Sequence, residues 1–375
     1  MNRIYLDYNS TTPVSKEVFD EMLPYFCEKF GNPSSSHGFG QKVMHATDNA
    51  RMQIAKFIGA NPDEIIFTGS GTESNNLAII GTAHKNREKK NHIITSMIEH
   101  SSVFNTCKYL ESTGYDVTYL PVNKEGMISP EDVKSAITKK TVLISLMLAN
   151  NETGTIQKIK KVSEIAEENR VFLHSDAIQA AGKLKLDVNS LGVDMLSISG
   201  HKIYGPKGIG ALYLRRGISI TPLIYGGGQE KKIRSGTENV PGIVGLGKAC
   251  EIANSDFNKR NKHLAEIRDA LENGLLKNIP QAKVNGSINN RIANTTNISF
   301  AGEENESLLV RLDLNGIAVS AGSACSTSSS EVSRPLKAMG LSTRELYSSL
   351  RFSVGLNTTL DDIEYTVDVF KKLVK

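Results

Sequence analysis

Between residues 65 and 215 the sequence alternates short apolar, β-branched runs with stretches of helical periodicity. The seven runs are IIFTG from 65, HIITSM from 92, DVTYLPV from 116, TVLISLML from 141, VFLHSDA from 171, MLSISG from 195 and GALYLR from 210. This alternation predicts an α/β fold with a mostly parallel sheet flanked by helices. Because ligands of open parallel sheets bind beyond the carboxyl ends of the strands, the loops that follow these runs are the places to look for function.

Two of the intervening helices have sequence signals of their own. Ser129 stands three residues before Asp132 in SPEDVKSAI, a spacing that predicts a capping box at the start of a helix. The stretch 158–170 has the periodicity of an amphipathic helix.

The pattern changes after about residue 256. A long helical stretch near 262–278 precedes strand candidates from 295 and 350, and a last helix is predicted from 359. A chain of 375 residues is long enough for two domains. We therefore predict a large domain over residues 11–255 and a smaller α+β domain over residues 256–375, joined by the N-terminal segment 1–10.

The charged residues and the cysteines restrict which partners and which kinds of site we expect for this protein. The 44 basic and 40 acidic residues give a net charge of +4, and the densest charge run, KNREKK at 85–90, is typical of a solvated helix end. We therefore expect neither nucleic acid nor membrane as a direct partner. The four cysteines lie far apart, so we expect no disulfide framework and no metal site. The N-terminus lacks an apolar signal segment, and a reducing cytoplasm is the simplest compartment.

The loop SGTESNN follows the first run and opens a predicted helix at about Thr72. A helix N-terminus with free N–H groups, a glycine that lets the backbone approach and a threonine hydroxyl together form a phosphate site. An ordinary Ser/Thr N-cap has the same pattern, so both interpretations stay open.

Asp176 and Lys202 follow two of the later strands. A carboxylate at the end of a buried strand needs a cationic or hydrogen-bonding partner. A protonated ring nitrogen of a cofactor is one such partner, and a surface position for Asp176 is the alternative. Lys202, between His201 and a glycine-rich turn, is well placed to form a Schiff base. With a phosphate site, these residues favour an enzyme that uses pyridoxal phosphate.

Three further residues carry functional groups in loops. His100, in MIEHSSV, either stacks on a planar ring, carries a proton or has a structural role. Asn151, in ANNETG, is either a turn residue or a polar contact to cofactor or substrate. Cys325 lies in VSAGSACSTSSSEV at 319–332, which is either a Ser/Gly-rich linker with an incidental cysteine or a loop that makes a thiol available for chemistry.

Motifs along most of the chain resemble the cysteine desulfurases of the NifS/IscS kind, which are class V members of the fold-type-I pyridoxal-phosphate enzymes. The matching stretches are YLDYNSTTP, FGNPSSSHGFG, IIFTGSGTESNN, IEHSSV, ANNETG, SDAIQAAGK, SISGHKIYGPKGIGALYLR, GGGQEKKIRSGTEN, SAGSACSTSS and LRFSVG. The resemblance implies a large cofactor-binding domain with a seven-stranded sheet and a small domain that carries a catalytic cysteine loop. It also implies conversion of L-cysteine to L-alanine, with the sulfur taken up by Cys325 as a persulfide.

The resemblance implies roles for individual residues. Lys202 carries pyridoxal 5'-phosphate and moves the substrate's Cα proton, and Asp176 pairs with the ring nitrogen. The other implied contacts are Gln179 at the ring hydroxyl, His100 on the ring face and as proton carrier, Gly71, Thr72, Ser199 and His201 at the phosphate, Thr237 reaching in from the second subunit of a homodimer, and Asn151 and Arg351 at the substrate.

The chain departs from the family pattern in three places. LDYNSTTP stands where LDNNATTP is usual, so Tyr8 and Ser10 are expected to alter the edge of the substrate pocket. SSSEVSRPL replaces LEPSYVL after the cysteine. The chain ends at KKLVK, without the extension that docks an iron-sulfur scaffold in housekeeping members. We therefore expect the acceptor protein to be either a scaffold for iron-sulfur cluster assembly or a dedicated enzyme of tRNA or cofactor thiolation.

Other functions stay open from the sequence. A class V aminotransferase would keep Lys202 and Asp176 but needs no nucleophile, and the thiol-bearing loop argues against it. A selenocysteine lyase of the second-group style is disfavoured because its RxGxHC-type site is absent, although selenocysteine remains a conceivable side substrate. A non-enzymatic sulfur-carrier role is disfavoured because Lys202, His100, Arg351 and Cys325 are all present.

Overall fold

The computed structural model describes residues 3–322 and 332–374. The strands are Ile4–Tyr5 (β1), Ile65–Thr68 (β2), His92–Ser96 (β3), Asp116–Leu120 (β4), Thr141–Met147 (β5), Phe172–Asp176 (β6), Met195–Ser199 (β7), Gly210–Leu214 (β8), Ala282–Asn285 (β9), Thr295–Phe300 (β10), Ile317–Ala318 (β11) and Ser349–Ser353 (β12). The α-helices are Lys16–Met22 (α1), Pro24–Cys27 (α2), Gly38–Ile58 (α3), Gly71–Asn86 (α4), Ser101–Ser112 (α5), Pro130–Ala136 (α6), Ile159–Glu168 (α7), Val188–Leu191 (α8), Val240–Ser255 (α9), Phe257–Asn278 (α10), Asn305–Leu314 (α11), Arg334–Ala338 (α12), Thr343–Leu346 (α13) and Leu360–Leu373 (α14).

All seven predicted strands form one sheet, in the order β2-β8-β7-β6-β5-β3-β4. The pairs from β7 to β4 are parallel, and β8 runs antiparallel to both of its neighbours. The sheet is apolar on both faces, and β5 and β7 are buried along their whole length. The predicted α/β class and the mostly parallel sheet are therefore confirmed.

The helix predicted around Ser129 forms, but its predicted capping box is wrong. Ser129 is the N-cap of α6, and its side chain makes no capping bond. Instead the N–H of Asp132 donates to the backbone carbonyl of Ser129 at 3.1 Å, so the carbonyl takes the place of the hydroxyl as acceptor. A complete capping box is found at α14, where the side chains of Thr359 and Asp362 each accept from the other residue's N–H.

The C-terminal part of the chain has its own sheet and core. Strands β12, β10 and β9 form an antiparallel sheet, and β1 pairs with β11 in parallel. One hydrophobic cluster joins Ile4 and Leu6 to buried residues between Leu264 and Val374, separate from the clusters around the large sheet. This grouping supports the proposed division of the chain at about residue 256, with the first residues belonging to the small domain.

In the part of the chain that the structure describes, no helix is both long and apolar enough to cross a membrane.

A histidine lies inside the large sheet. His174 on β6 is fully buried, and its two ring nitrogens are 2.9 Å from the hydroxyls of Ser145 and Ser197 on the neighbouring strands. Burial lowers the pKa of His174 to about 3, because the interior solvates the imidazolium poorly. The ring is therefore neutral in the folded protein down to acidic pH.

This histidine should make the fold sensitive to acid. Below pH 6.5 the unfolded chain binds a proton at His174 that the folded protein does not bind until about pH 3, so stability is lost as the pH falls through this range. We expect the unfolding free energy of the wild type to fall by about 1.4 kcal/mol per pH unit more than that of His174→Asn. Urea unfolding at several pH values measures this slope.

The matched control is His45→Asn, because His45 is exposed on α3. It should keep the wild-type pH slope, and an unchanged slope in His174→Asn as well would contradict the account.

Candidate active site

A cavity of about 180 Å³ opens at the carboxyl ends of the central strands. The predicted residues that line it are Gly71, Thr72, His100, Asn151, Asp176, Gln179, Ser199, His201, Lys202 and Arg351. The cavity is lined from both the large and the small sheet. Arg351 belongs to β12 of the small sheet, whereas the other residues follow or flank strands of the large sheet. The structure thus brings together every predicted site residue except Thr237 and Cys325.

Asp176, the last residue of β6, is 4% exposed and is held by hydrogen bonds alone. Its Oδ1 accepts from the N–H of Ile178 at 2.9 Å, and its Oδ2 accepts from Nδ2 of Asn75 at 2.8 Å. Among the described residues no cationic side chain lies within ion-pair distance of this carboxylate. Burial raises the pKa of Asp176, so the site favours a group that would bring a positive charge to it.

Lys202 follows β7 in the short 3₁₀ turn Gly200–Lys202. Its Nζ donates to the backbone carbonyls of Asn9 and Ser10, at 2.5 and 2.7 Å. The N-terminal segment therefore supplies a wall of the cavity and directs the amine into it. A lysine amine in this position can form a covalent bond with a carbonyl compound.

The N-terminus of α4 forms one end of the cavity. The hydroxyl of Ser70 caps the helix by accepting from the N–H of Glu73 at 3.1 Å, and the first N–H groups of a helix have no acceptor within it. A Cβ on Gly71 would lie 2.2 Å from Cδ1 of Ile178, so a larger residue here would require the side chain of Ile178 to move. With Thr72, Ser199 and His201 alongside, this end of the cavity is suited to an anion.

Two histidines in the cavity are kept neutral. His100 is the N-cap of α5, where its Nδ1 accepts from the N–H of Ser102 at 3.1 Å, so the ring proton lies on Nε2. Burial lowers the pKa of His100 despite the negative charge of Asp176 nearby. Burial and then the charge of Lys202 lower the pKa of His201 to about 4. A neutral His100 can donate the proton that it carries on Nε2.

Arg351 is almost fully buried, and its guanidinium is already oriented. Nη2 donates to Oδ1 of Asp7 at 2.6 Å and to Oγ of Ser10 at 2.9 Å, and Nη1 donates to the carbonyl of Asn151 at 3.1 Å. Nε of Arg351 and Oδ1 of Asn151 are buried without a hydrogen-bond partner in the described residues. These unpaired groups offer a donor and an acceptor to a small zwitterionic ligand.

Ser10 has the effect at the pocket edge that the sequence departure predicts. Its hydroxyl bridges Asp7 and Arg351, donating to Oδ2 of Asp7 at 2.5 Å, a contact that an alanine at this position would not make. Tyr8 instead turns away from the cavity. Its ring packs edge-on against Tyr5 and beside Tyr204, with centroid distances of 5.0 and 6.3 Å. The expectation for Tyr8 is therefore wrong, because residues 8–10 form a turn, closed by the N–H of Ser10 donating to the carbonyl of Asp7 at 3.0 Å, and the two side chains leave this turn in different directions.

Gln179 is anchored from two sides. Its Nε2 donates to the carbonyl of Asn9 at 2.9 Å, and its Oε1 accepts from Nζ of Lys183 at 3.1 Å. Lys183 is buried four residues further along the chain, in the turns that follow β6. Burial, with the nearby charges of Lys202, Arg351 and Arg260, lowers the pKa of Lys183 to about 7.

Two predicted site residues do not line the cavity. Thr237 lies in a separate hollow of the same chain, together with Gly69 and Arg234. Cys325 lies outside the described residues. The residues after the undescribed segment 323–331 contact the large domain: Ser333 donates to Oε2 of Glu152 at 2.5 Å, and Arg334 donates to the carbonyls of Met97 and Glu99 at 2.9 and 2.7 Å.

Sequence reasoning missed Asn75 and Asn9. Asn75 orients Asp176 and also donates to Oγ of Ser102 at 2.9 Å, and Asn9 gives its carbonyl to Lys202 and Gln179. Asn75 lies one turn after Gly71 on the helix that begins at the cavity, and this spacing was the available signal. The role of Asn9 depends on a backbone carbonyl, which has no sequence signature.

The described groups fit pyridoxal phosphate. No cationic side chain among the described residues forms an ion pair with the buried Asp176, so the protonated nitrogen of a pyridine ring would complete its environment. The N-terminus of α4 lines the same cavity and suits a phosphate. Lys202 also lines this cavity and provides the amine for an aldehyde.

Comparison with known proteins agrees with this site. A family model described as aminotransferase class-V matches residues 4–366. A protein of Dictyoglomus turgidum named cysteine desulfurase IscS is 50% identical over 372 residues, covering 99% of this chain and 94% of the relative. A solved structure titled NifS-like protein has a TM-score of 0.94 and 37% identity, covering 99% of both chains. Another, titled SspA in complex with cysteine, has a TM-score of 0.85 and 41% identity, covering 95% of this chain and 100% of the other.

Asn75→Ala tests whether the buried amide supports the site. The substitution leaves Oδ2 of Asp176 and the hydroxyl of Ser102 without this donor, and losing a partner of a buried carboxylate costs about 1 to 3 kcal/mol. We expect the free energy of unfolding of the cofactor-free protein to fall by about that amount, as measured in urea. Lys85→Ala on the exposed part of the same helix is the control and should change it by less than about 0.5 kcal/mol. Equal effects of the two substitutions would show that the amide is not a support of Asp176.

Proposed function

The chain belongs to the class-V aminotransferase family, and within it to the pyridoxal-phosphate-dependent cysteine desulfurases, and from this membership we propose how its pocket converts L-cysteine to L-alanine and passes the sulfur to Cys325. One observation carries the assignment of residues: a single cavity holds Lys202, the buried Asp176 without a cationic partner, and the oriented guanidinium of Arg351.

The cofactor would be held at three points of the cavity. Lys202 binds it covalently, Asp176 pairs with its ring nitrogen, and the N-terminus of α4 with Thr72 receives its phosphate. Ser199 and His201 complete the phosphate site, Gln179 donates to the ring oxygen and His100 covers the ring face. When bound, pyridoxal phosphate supplies an electron sink for the electron pair released at the substrate's Cα.

Arg351 and Asn151 bind the substrate in this proposal. The unpaired Nε of Arg351 offers an N–H to the substrate carboxylate, and the fixed planar fork of a guanidinium makes such a contact directional. Asp7 balances the charge of Arg351, so the substrate carboxylate adds to an ion pair that already exists. The relative whose structure is titled as a complex with cysteine supports cysteine as the ligand of this pocket.

Lys202 and His100 move protons. The amine of Lys202 takes the proton from Cα of the substrate, a role that suits a lysine held between two backbone carbonyls. His100 carries a proton at Nε2, because its Nδ1 is occupied by the N–H of Ser102. The walls formed by Asn9, Ser10 and Arg351 exclude bulk water from these transfers.

Cys325 would receive the sulfur. Its thiolate attacks the sulfur atom of the substrate, an S–S bond forms as the C–S bond breaks, and the electron pair left on the substrate carbon takes up a proton to give alanine. The product on the enzyme is a persulfide, which an acceptor protein then removes. A reducing compartment such as the cytoplasm keeps this thiol free for the reaction.

The quaternary structure and the acceptor are further parts of the proposal. From the family resemblance we infer a homodimer in which Thr237 of one subunit contacts the cofactor phosphate of the other, and the position of Thr237 outside the cavity of its own chain is compatible with this role. The acceptor is an iron-sulfur scaffold or a thiolation enzyme. The names of the curated relatives favour iron-sulfur cluster assembly.

A single-turnover reaction with L-cysteine tests the proposal. We expect one alanine per active site and a mass gain of one sulfur atom on the peptide that contains Cys325. Cys325→Ser should bind the substrate, as seen in the cofactor absorbance, but release no alanine within the same time. Alanine analysis, peptide mass spectrometry and absorbance spectroscopy provide the three measurements.

Cys27→Ser is the matched control, because Cys27 is the exposed cysteine among the described residues and should react as the wild type does. If Cys325→Ser releases alanine at the wild-type rate, Cys325 is not the nucleophile. If a keto acid forms in place of alanine, the enzyme is an aminotransferase.

A further inference from the structure

The orientation of the Gln179 amide is determined by its two neighbours. Oε1 accepts from the ammonium of Lys183 at 3.1 Å, and Nε2 donates to the carbonyl of Asn9 at 2.9 Å. If the amide were turned over, its NH2 group would face the ammonium and its oxygen would face a carbonyl. Both contacts would then be repulsive, since an ammonium has only donors and a carbonyl only acceptors.

The amide orientation matters because Gln179 lines the cavity. Its NH2 group has two hydrogens, and the carbonyl of Asn9 takes one of them. The second hydrogen remains for a ligand. A ligand with an anionic oxygen beside Gln179 is therefore stabilised only while the amide keeps this orientation.

Lys183 has little other reason to lie where it does. It is buried, and its Nζ donates to the backbone carbonyl and the side-chain oxygen of Gln179, at 3.2 and 3.1 Å. No carboxylate forms an ion pair with it among the described residues, and the nearby charged groups are Lys202, Arg351 and Arg260, all cationic. A buried ammonium surrounded by positive charge costs stability, so its position against the carbonyl and side-chain oxygen of Gln179 points to a role in the site.

We propose that Lys183 is a positioning residue that fixes the amide of Gln179 so that its NH2 group donates to the anionic ring oxygen of pyridoxal phosphate. This inference rests on the proposed function. Lys183 does not touch the cofactor itself and acts through Gln179. Its positive charge also stabilises the negative charge that develops on that oxygen.

The test replaces Lys183 by methionine, which keeps the length of the side chain but removes the donor and the charge. Two readouts are independent of turnover: the dissociation constant of pyridoxal phosphate from the refolded or stripped protein, by equilibrium dialysis, and the pH midpoint of the absorbance change of the bound cofactor. We expect the dissociation constant to rise about tenfold, as for the loss of one charge-assisted hydrogen bond. We expect the absorbance midpoint to rise, because the ring oxygen loses a donor and a nearby cation and becomes more basic.

A double-mutant cycle separates positioning from structural support. Lys183→Met should have no further effect on the absorbance midpoint in a Gln179→Leu background, because the residue through which it acts is absent. Fully additive shifts, or no shift in the single variant, would overturn the proposal. Lys185→Met, an exposed lysine two residues away, is the matched control and should keep the wild-type values.

Lys183→Gln guards against a folding defect of the methionine variant. Its amide can donate to the same oxygen without a charge, so the midpoint should shift in the same direction but by less. If the wild type takes up no pyridoxal phosphate, the proposed function fails and the role of Lys183 fails with it. If the wild type binds the cofactor and both Lys183 variants have its midpoint, only the role of Lys183 is overturned.

Discussion

The pocket depends on keeping several ionisable groups out of water and close together. Asp176, Lys202, Lys183 and Arg351 all lie in or beside one cavity, and each would be costly to bury alone. The structure meets this cost mainly with neutral partners, namely the amides of Asn75 and Gln179 and the carbonyls of Asn9 and Ser10. Asp7 is the exception, since it gives Arg351 a full negative charge. A site built this way holds its charged groups in fixed positions, where they can pair with an incoming charged ligand.

Much of this arrangement could be predicted from the chain. The seven strands were readable because each is a short apolar run between helices, and the loops at their carboxyl ends contain Thr72, His100, Asn151, Asp176 and Lys202. The topology then requires these loops to converge. Arg351 could be placed in the pocket only through the family resemblance, because its strand belongs to a different sheet that is far away in sequence.

The remainder depends on tertiary contacts that leave no mark in a single sequence. The contribution of Asn9 comes from a backbone carbonyl, and any residue has one. Lys183 is like other lysines in the sequence, and only its burial against Gln179 distinguishes it. The opposite outcomes for Tyr8 and Ser10 have the same origin, since the turn at residues 8–10 determines the direction of each side chain and the sequence motif alone did not reveal it. Ser129 is an example within a single turn of helix. Its backbone carbonyl accepts the hydrogen bond that the sequence predicted for its hydroxyl.

The link between Asp7 and Arg351 also bears on the order in which the protein can be completed during synthesis. These residues are 344 positions apart in the sequence. Strand β1 likewise can pair only after β11, near residue 317, has been synthesised. The strands of the large sheet leave the ribosome well before either partner, so the large domain can assemble while the N-terminal segment is still unpaired. The side of the pocket that contains Arg351, with its contact to Asp7, then forms last. On a translating ribosome, the chain would therefore have a folded large domain for many seconds before it had a finished pocket.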